Sequence, residues 1–380
     1  MRLLVSGGGT GGHVYPALAV IQSLRRRLTG VPSPRGGVAE EELETLFVGS
    51  AGGVEEGLVK RAGLPFAAIA AGGLHGLAPW AAARNAVKLA QGTWQAWRVV
   101  RAFRPDALLL TGGYVGVPVA LAAWLGRVPS LVYLPDVEPA LSVRAMARLA
   151  RRVAVTAPVS RRHFPPGKVA VTGYPVRPEL QGVDRQAARQ ALGLDADGLV
   201  LLVFGGSRGA RSINRALAAN LEPLLALCQV VHISGALDAE EAQARRAALP
   251  ETLRMRYHLY AYLHVEMGFA LAAADLAVSR AGASTLGEFP LFGLPAVLVP
   301  YPYAWRYQKV NADYLVAQGC ACRLDDDKLA TDLLPLLREL LSDRERLMEM
   351  GRRARALARP DAAERLADEL RSLVKAEAVG

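Results

Sequence analysis

Residues 3–20, LLVSGGGTGGHVYPALAV, decide how the rest of the chain is read. Leu3 to Ser6 form a strand-length apolar run that stops at a glycine loop, residues 7–12. Pro16 suits a helix start, and Ala17, Leu18, Val20, Ile21 and Leu24 follow at helical spacing. Arg25, Arg26 and Arg27 then crowd the last turn, where cations complement the helix dipole. The order strand, glycine loop, helix returns at residues 199–217, LVLLVFGGSRGARSINRAL. Between and after these two units lie short apolar runs: TLFVG (45–49), FAAIA (66–70), ALLLT (107–111), SLVYL (130–134), VAVT (153–156), VAVTG (169–173), VVHIS (230–234), DLAVS (275–279) and AVLVP (296–300). Such runs, alternating with helical stretches, predict buried parallel strands in two α/β sheets. The segment TGYPVRPEL (172–180) leaves a strand without starting a helix and marks the boundary. The expected fold is α/β, with two doubly wound Rossmann-like domains, 1–173 and 174–360, facing a cleft at the carboxyl ends of their strands. A final helix, 361–380, is expected to pack back on the first domain.

Composition narrows the function. Hydrophobic residues make up 52% of the 380 and charged ones 21%, enough for large cores and against disorder. The formal charge of +10 favours anionic partners without choosing among them. Cys228, Cys320 and Cys322 have no spacing of a disulfide framework or a zinc site and read as buried thiols. No run reaches the roughly 20 apolar residues that span a bilayer, and the N-terminus lacks the long apolar region of a secretory signal.

Gly7-x-Gly9-x-x-Gly12 matches the dinucleotide fingerprint, yet a nicotinamide site also needs an acidic residue closing the second strand. That strand, TLFVG, ends in Gly49-Ser50. What remains is a cradle of backbone N–H groups at Thr10, Gly11 and Gly12, suited to an anion. His13 stands where loop becomes helix. It is a candidate proton acceptor near neutral pH, or a histidine that hydrogen-bonds backbone. In the second unit, Ser207 would reach a phosphate oxygen, Ala283-Ser284-Thr285 would open a second anion-binding helix start, and Arg177 would add a forked cation. Asp195-Ala196-Asp197 reads as a turn entering a strand rather than a metal pair, and Asp325 to Asp327 as a solvent-facing cap.

GGGTGGHVYPALA (7–19) closely resembles the signature of the bacterial N-acetylglucosaminyltransferases that complete lipid II. The likeness continues through TGGYVGVPVALAAWL (111–125), TGYPVR (172–177), GGSRGARSIN (205–214), SRAGASTLGE (279–288) and GLPAVLVPYP (293–302). It implies a GT-B glycosyltransferase architecture and inverting, metal-independent transfer of GlcNAc from UDP-GlcNAc to undecaprenyl-pyrophosphoryl-MurNAc-pentapeptide. No cofactor and no nucleic acid are implied. The same resemblance makes His13 the candidate base for the MurNAc 4-hydroxyl. It gives Glu288 to the ribose hydroxyls, the backbone of Leu263 to uracil, Gln308 and Asn311 to the sugar, and the run Ala283 to Glu288, with Leu286 and Gly287, to the donor.

Residues 72–105 supply Leu74, Leu77 and Trp80, then Arg84, Lys88, Trp94, Trp97 and Arg98. Leu74, Leu77, Trp80, Arg84 and Lys88 suit docking on an anionic membrane surface, at the cytoplasmic face for this family. Trp94 and Trp97 read as core. One departure stands out: where the family carries His-Glu-Gln-Asn, this chain has Tyr133-Leu134-Pro135-Asp136. Asp136 holds the asparagine position as a candidate hydroxyl binder, with Glu138 near enough to compensate. Tyr303 and Trp305 likewise replace a histidine and an acidic residue. A transferase with another lipid acceptor such as diacylglycerol, a UDP-GlcNAc epimerase and a membrane-docked nucleotide-sugar binder are the competing readings.

Overall fold

Every strand pairing among the described residues is parallel, as crossover helices require. The computed structural model describes residues 1–9, 11–28, 42–72, 79–206, 209–264, 266–303 and 306–378, and the side chains of 28, 79–86 and 376–378 are not among those described. Contacts divide the chain into two units, Met1–Arg177 with Pro360–Gly380, and Pro178–Arg359.

The first unit holds seven strands, β1 (Arg2–Ser6), β2 (Glu44–Ser50), β3 (Phe66–Ile69), β4 (Ala107–Leu110), β5 (Ser130–Leu134), β6 (Arg152–Val155) and β7 (Val169–Val171), in the order β3-β2-β1-β4-β5-β6-β7. Strand β1 is central, with Leu3 opposite Thr45 on one side and Ala107 on the other. Leu3 and Val5 enter one core while Leu4 enters the other, which is why the strand reads as an unbroken apolar run. Helix α1 (Gly11–Leu28) buries Val14, Ala17, Val20, Ile21 and Leu24 against that sheet. It begins five residues before the expected start, so Pro16 lies inside it. Having no N–H, Pro16 leaves the Gly12 carbonyl without its helical partner. Helices α2 (Val54–Arg61), α3 (Pro79–Phe103) and α4 (Gly116–Leu125) follow.

The helix Ala362–Ala378 joins this first unit, where Leu366, Ala367, Leu370 and Leu373 fill the core beside α1. Arg27–Asp368 and Arg152–Glu369 ion pairs flank the seam. Each buried leucine contributes roughly 1.5–3 kcal/mol, far more than exposed ion pairs of this kind.

The second unit holds six strands, β8 (Val200–Phe204), β9 (Gln229–Ile233), β10 (Tyr257–Tyr260), β11 (Leu276–Ser279), β12 (Ala296–Leu298) and β13 (Ala321–Arg323), in the order β10-β9-β8-β11-β12-β13. Leu201, Val203, Val278 and Val297 pack under Ile213, Leu217, Leu333, Leu337 and Leu340. In each sheet the order reverses at one place, between β1 and β4 and between β8 and β11. Loops leaving the carboxyl ends there diverge and leave room for a ligand.

Candidate active site

In the first unit the reversal brings the loop after β1 against the loop after β4. A Cβ on Gly7 would fall 2.0 Å from Thr111 Oγ1, and one on Gly113 would fall 2.7 Å from the Gly8 carbonyl oxygen. Only glycines allow this approach. His13, near the start of α1, donates from Nδ1 to the Gly8 carbonyl at 2.8 Å. The neutral imidazole in that tautomer carries its lone pair on Nε2, the state a proton acceptor needs. Gly112 lies against the ring: its φ is +116°, and a Cβ there would sit 3.0 Å from His13 Cδ2 and Nε2.

One amide of this loop, that of Gly9, is taken by Glu55. Its side chain, on the first turn of α2, is 1% exposed. Oε2 accepts from Gly9 N at 3.1 Å, while Oε1 accepts from Ser50 N at 2.9 Å and Ser50 Oγ at 2.5 Å. Burial raises the carboxyl's pKa, but these hydrogen bonds outweigh it and hold it below the ordinary carboxylate value. An acidic group thus caps the turn that follows β2, where it binds the protein's own N–H groups. The Gly9 amide therefore already has an acceptor within the protein. Of the three cradle residues, Gly11 and Gly12 are the first residues of α1, and Thr10 lies outside the described residues. Arg177 belongs by its contacts to this unit, where its guanidinium covers the Tyr15 ring at 4.8 Å.

The altered segment that ends β5 is built differently from a proton-handling pair. Tyr133 is fully buried. Its hydroxyl meets Thr156 Oγ1 at 2.7 Å and donates to the Gly173 carbonyl at 3.3 Å, and burial keeps its pKa well above the usual phenol value. Asp136 is half-buried, and Glu138 faces Arg144 at 3.7 Å, so its compensating carboxylate already has a cation.

In the second unit the loops leaving β8 to β12 share one edge of the sheet. The β8 loop is tight: a Cβ on Gly205 would meet Ala210 N at 2.2 Å. Ser207, within it, lies outside the described residues. After β11 the chain forms a 3-10 turn, Ala283–Leu286, and a five-residue helix, Glu288–Phe292, rather than one long helix. The dipole expected there is correspondingly small. Thr285 is buried and donates from Oγ1 to the Gly282 carbonyl at 2.7 Å, bracing the turn. Leu286 is also buried, whereas Ala283, Ser284, Gly287 and Glu288 are half-exposed along the rim. Leu263 is half-buried in the loop after β10.

Gln308 accepts from Tyr301 N at 2.9 Å, shaping the loop after β12. Asn311 is 0% exposed and donates to the Ala281 carbonyl at 3.1 Å. In this conformation it braces the turn after β11. Asp326 is not a free cap: it pairs with Arg280 and accepts from Ser212 Oγ at 2.8 Å. Arg280 also donates to the carbonyls of Val299 and Pro300 and lies 5.2 Å from the Tyr301 ring. This cation ties the loops after β8, β11 and β12 together, and no spacing in the sequence announces it. Asp195 accepts from Asp197 N within its turn, as a turn-former does. Among the described residues no group of three or more His, Cys, Asp or Glu could hold a metal ion.

Of the docking residues, Lys88 is exposed on α3, Trp80 and Arg84 lie on the same helix, and Leu74 and Leu77 lie outside the described residues. Trp94 is 56% exposed, not core, with the Arg98 guanidinium 4.9 Å over its ring. Trp97 is half-buried against the core under Arg101. Trp124 and Leu125, closing α4, are exposed as well. No helix among the described residues is long and apolar enough to cross a membrane.

Comparison with known proteins gives this geometry a family. Residues 3–155 match the glycosyltransferase family 28 N-terminal domain, and residues 200–366 match the C-terminal domain of that family. A Roseiflexus protein named UDP-N-acetylglucosamine–N-acetylmuramyl-(pentapeptide) pyrophosphoryl-undecaprenol N-acetylglucosamine transferase is 45% identical, over 98% of this chain and 95% of its own. The crystal structure of Acinetobacter baumannii MurG superposes with a TM-score of 0.75 at 28% identity, covering 98% of this chain and 99% of that one. UDP-GlcNAc 2-epimerase from Neisseria meningitidis reaches a TM-score of 0.66 at 13% identity, over 98% of this chain and 100% of its own, a likeness of fold alone. With both domain models matched in order and a near-full-length relative at this identity, the chain belongs to glycosyltransferase family 28 and is a glycosyltransferase.

Proposed function

We propose that the protein transfers GlcNAc from UDP-GlcNAc to the MurNAc 4-hydroxyl of undecaprenyl-pyrophosphoryl-MurNAc-pentapeptide, converting lipid I to lipid II for peptidoglycan. The observation that carries this reading is the 45% identity, across almost the whole of both chains, to a relative of that name. The acceptor oxygen attacks the anomeric carbon of GlcNAc from the face opposite the leaving UDP, so configuration inverts. His13 Nε2 takes the hydroxyl proton, directly or through water, as the new bond forms and the bond to UDP breaks. The Nδ1–H to Gly8 hydrogen bond supports this role by fixing the tautomer.

The second unit holds the donor. The β8 loop with Ser207 and the rim at Ala283, Ser284 and Gly287 offer hydroxyl and N–H groups to the diphosphate, without a metal. Glu288 accepts from the ribose hydroxyls, the Leu263 backbone faces uracil, and Gln308 lies nearest the sugar. The exposed indole and basic face of α3, with Trp80 in its first turn and Leu74 and Leu77 before it, docks the enzyme on anionic lipid at the cytoplasmic face of the membrane.

The test is incubation of labelled UDP-GlcNAc with lipid I in chelator. Label in lipid II is the expected result. Turnover of the nucleotide sugar without any acceptor, or restoration only by a divalent ion, refutes the reading. The segment Tyr133 to Asp136 favours one second reading, a different lipid acceptor, and product only with diacylglycerol would establish it.

A further inference from the structure

Gly8 and Gly9 share one peptide group, and the two ends of that group face different partners. The Gly8 C=O accepts from His13 Nδ1 at 2.8 Å, and the Gly9 N–H donates to Glu55 Oε2 at 3.1 Å. A peptide group is planar and does not twist, so orienting one end orients the other. The result is a continuous chain: carboxylate, peptide, imidazole. It has the arrangement of a carboxylate–histidine pair with a peptide plane inserted between the partners.

The carboxylate is itself well fixed. Ser50 N and Oγ hold Oε1, and the side chain is 1% exposed. A Cβ on Gly8 or Gly53 would come within 2.5 Å or 2.4 Å of Oε1, so the glycines on both sides let the backbone close around it. A negative charge at the N–H end also polarises the peptide and strengthens the carbonyl as an acceptor, since linked hydrogen bonds reinforce one another. We propose that Glu55 is a positioning residue for the transfer reaction: through the Gly8–Gly9 peptide it sets the orientation and tautomer of His13, and so the aim of Nε2. This rests on His13 acting as the base.

The experiment compares Glu55→Gln, His13→Ala and the double variant in the intact protein, measuring kcat and KM for UDP-GlcNAc with lipid I. Gln can accept from the Gly9 N–H or from the Ser50 N–H but not from both, and it removes the charge that polarises the peptide, so the anchor is weakened. Glu55→Gln is expected to lower kcat about tenfold or more, short of the roughly 10²–10⁴-fold loss expected for His13→Ala. The KM for UDP-GlcNAc stays within about threefold, since the donor is held by other residues. In the His13→Ala background the Glu55 change adds no further loss, because the residues act as one unit.

Losses that multiply in the double variant, or a folded Glu55→Gln with full kcat, overturn the proposal. Full activity in His13→Ala instead overturns the base assignment, a separable outcome, and with it any positioning role exerted through that ring. Should Glu55→Gln not fold, Ser50→Ala removes one hydroxyl from the carboxylate. A fall in kcat that vanishes in the His13→Ala background supports the proposal, and its persistence there overturns it.

Discussion

Gly7→Ala, alone and with Thr111→Ala, tests the packing that the first unit's site depends on. The added methyl would lie 2.0 Å from Thr111 Oγ1 and 3.3 Å from Thr111 Cβ. Neither residue can yield. Thr111 is fully buried, and its N–H donates to the Ser6 carbonyl at 3.0 Å, extending the β1–β4 ladder past the strand ends. Overpacking of this kind costs about 1–3 kcal/mol. Thr111→Ala alone should be nearly neutral: it removes a buried hydroxyl with no hydrogen-bond partner among the described residues, and this offsets the lost methyl. In the double variant the oxygen that blocks the new methyl is gone, so most of the lost stability is recovered, leaving only the tight Cβ contact. The coupling should be about 1–2 kcal/mol in the favourable direction. Urea unfolding followed by tryptophan fluorescence reads it, because Trp80, Trp94, Trp97 and Trp124 lie in the first unit and only Trp305 in the second. Transferase activity should fall in Gly7→Ala and recover in the double variant, since the neighbouring Gly8 carbonyl holds His13. Losses that simply add would refute the steric reasoning.

Glu55, whose folded pKa is depressed, contributes stability that is complete above the ordinary value of 4.5 and disappears as pH falls through the folded value. The stability gap between the native protein and Glu55→Gln should therefore be full at neutral pH and close below pH 4.5 in acid titrations of the unfolding midpoint. His232 behaves as its counterpart in the second unit: it accepts from the Tyr257 hydroxyl at 2.7 Å, donates to Asn214 Oδ1 at 3.0 Å, and burial lowers its pKa to about 4 against the opposing charge of Asp238. Because the unfolded chain binds this proton first, the second unit should lose about 3 kcal/mol as pH drops from 6.5 to 4, and calorimetry should show a flatter profile in His232→Gln. Asn311→Ala leaves the buried Ala281 carbonyl without its donor, which should cost about 1–3 kcal/mol and weaken UDP-GlcNAc binding roughly tenfold by titration calorimetry.

The central strands were readable because burial on both faces demands unbroken apolar runs, as in LLVS and VLLVF. The strands YHLY and ACR escaped notice for the converse reason. At the sheet edges β10 and β13 are short and carry polar or half-exposed residues, so their pattern matches no buried strand. The helix start at Gly11 was hidden by Pro16, which normally opens a helix but here sits inside one that tolerates a missing bond. His13 stood out because it follows the glycine loop directly. Glu55 did not, since its role depends on a contact 46 residues away in sequence that no local spacing encodes. Asp326 misled in the same way: an aspartate run resembles a helix cap until Arg280, from a different strand end, reaches it. Trp94 read as core because a tryptophan in a helix usually is, yet the helix turns that face outward.

The helix Ala362–Ala378 has a consequence for biosynthesis. Its leucines complete the core of a unit whose other residues end at Arg177, so the nascent polypeptide must make all of Pro178–Arg359 before that core can close. At about 5–20 residues per second, the early-made half waits roughly 10–40 s on the ribosome with the groove beside α1 unfilled. The later-made half can finish folding first, reversing the usual order of emergence, and the waiting apolar groove is where a chaperone would have most to protect.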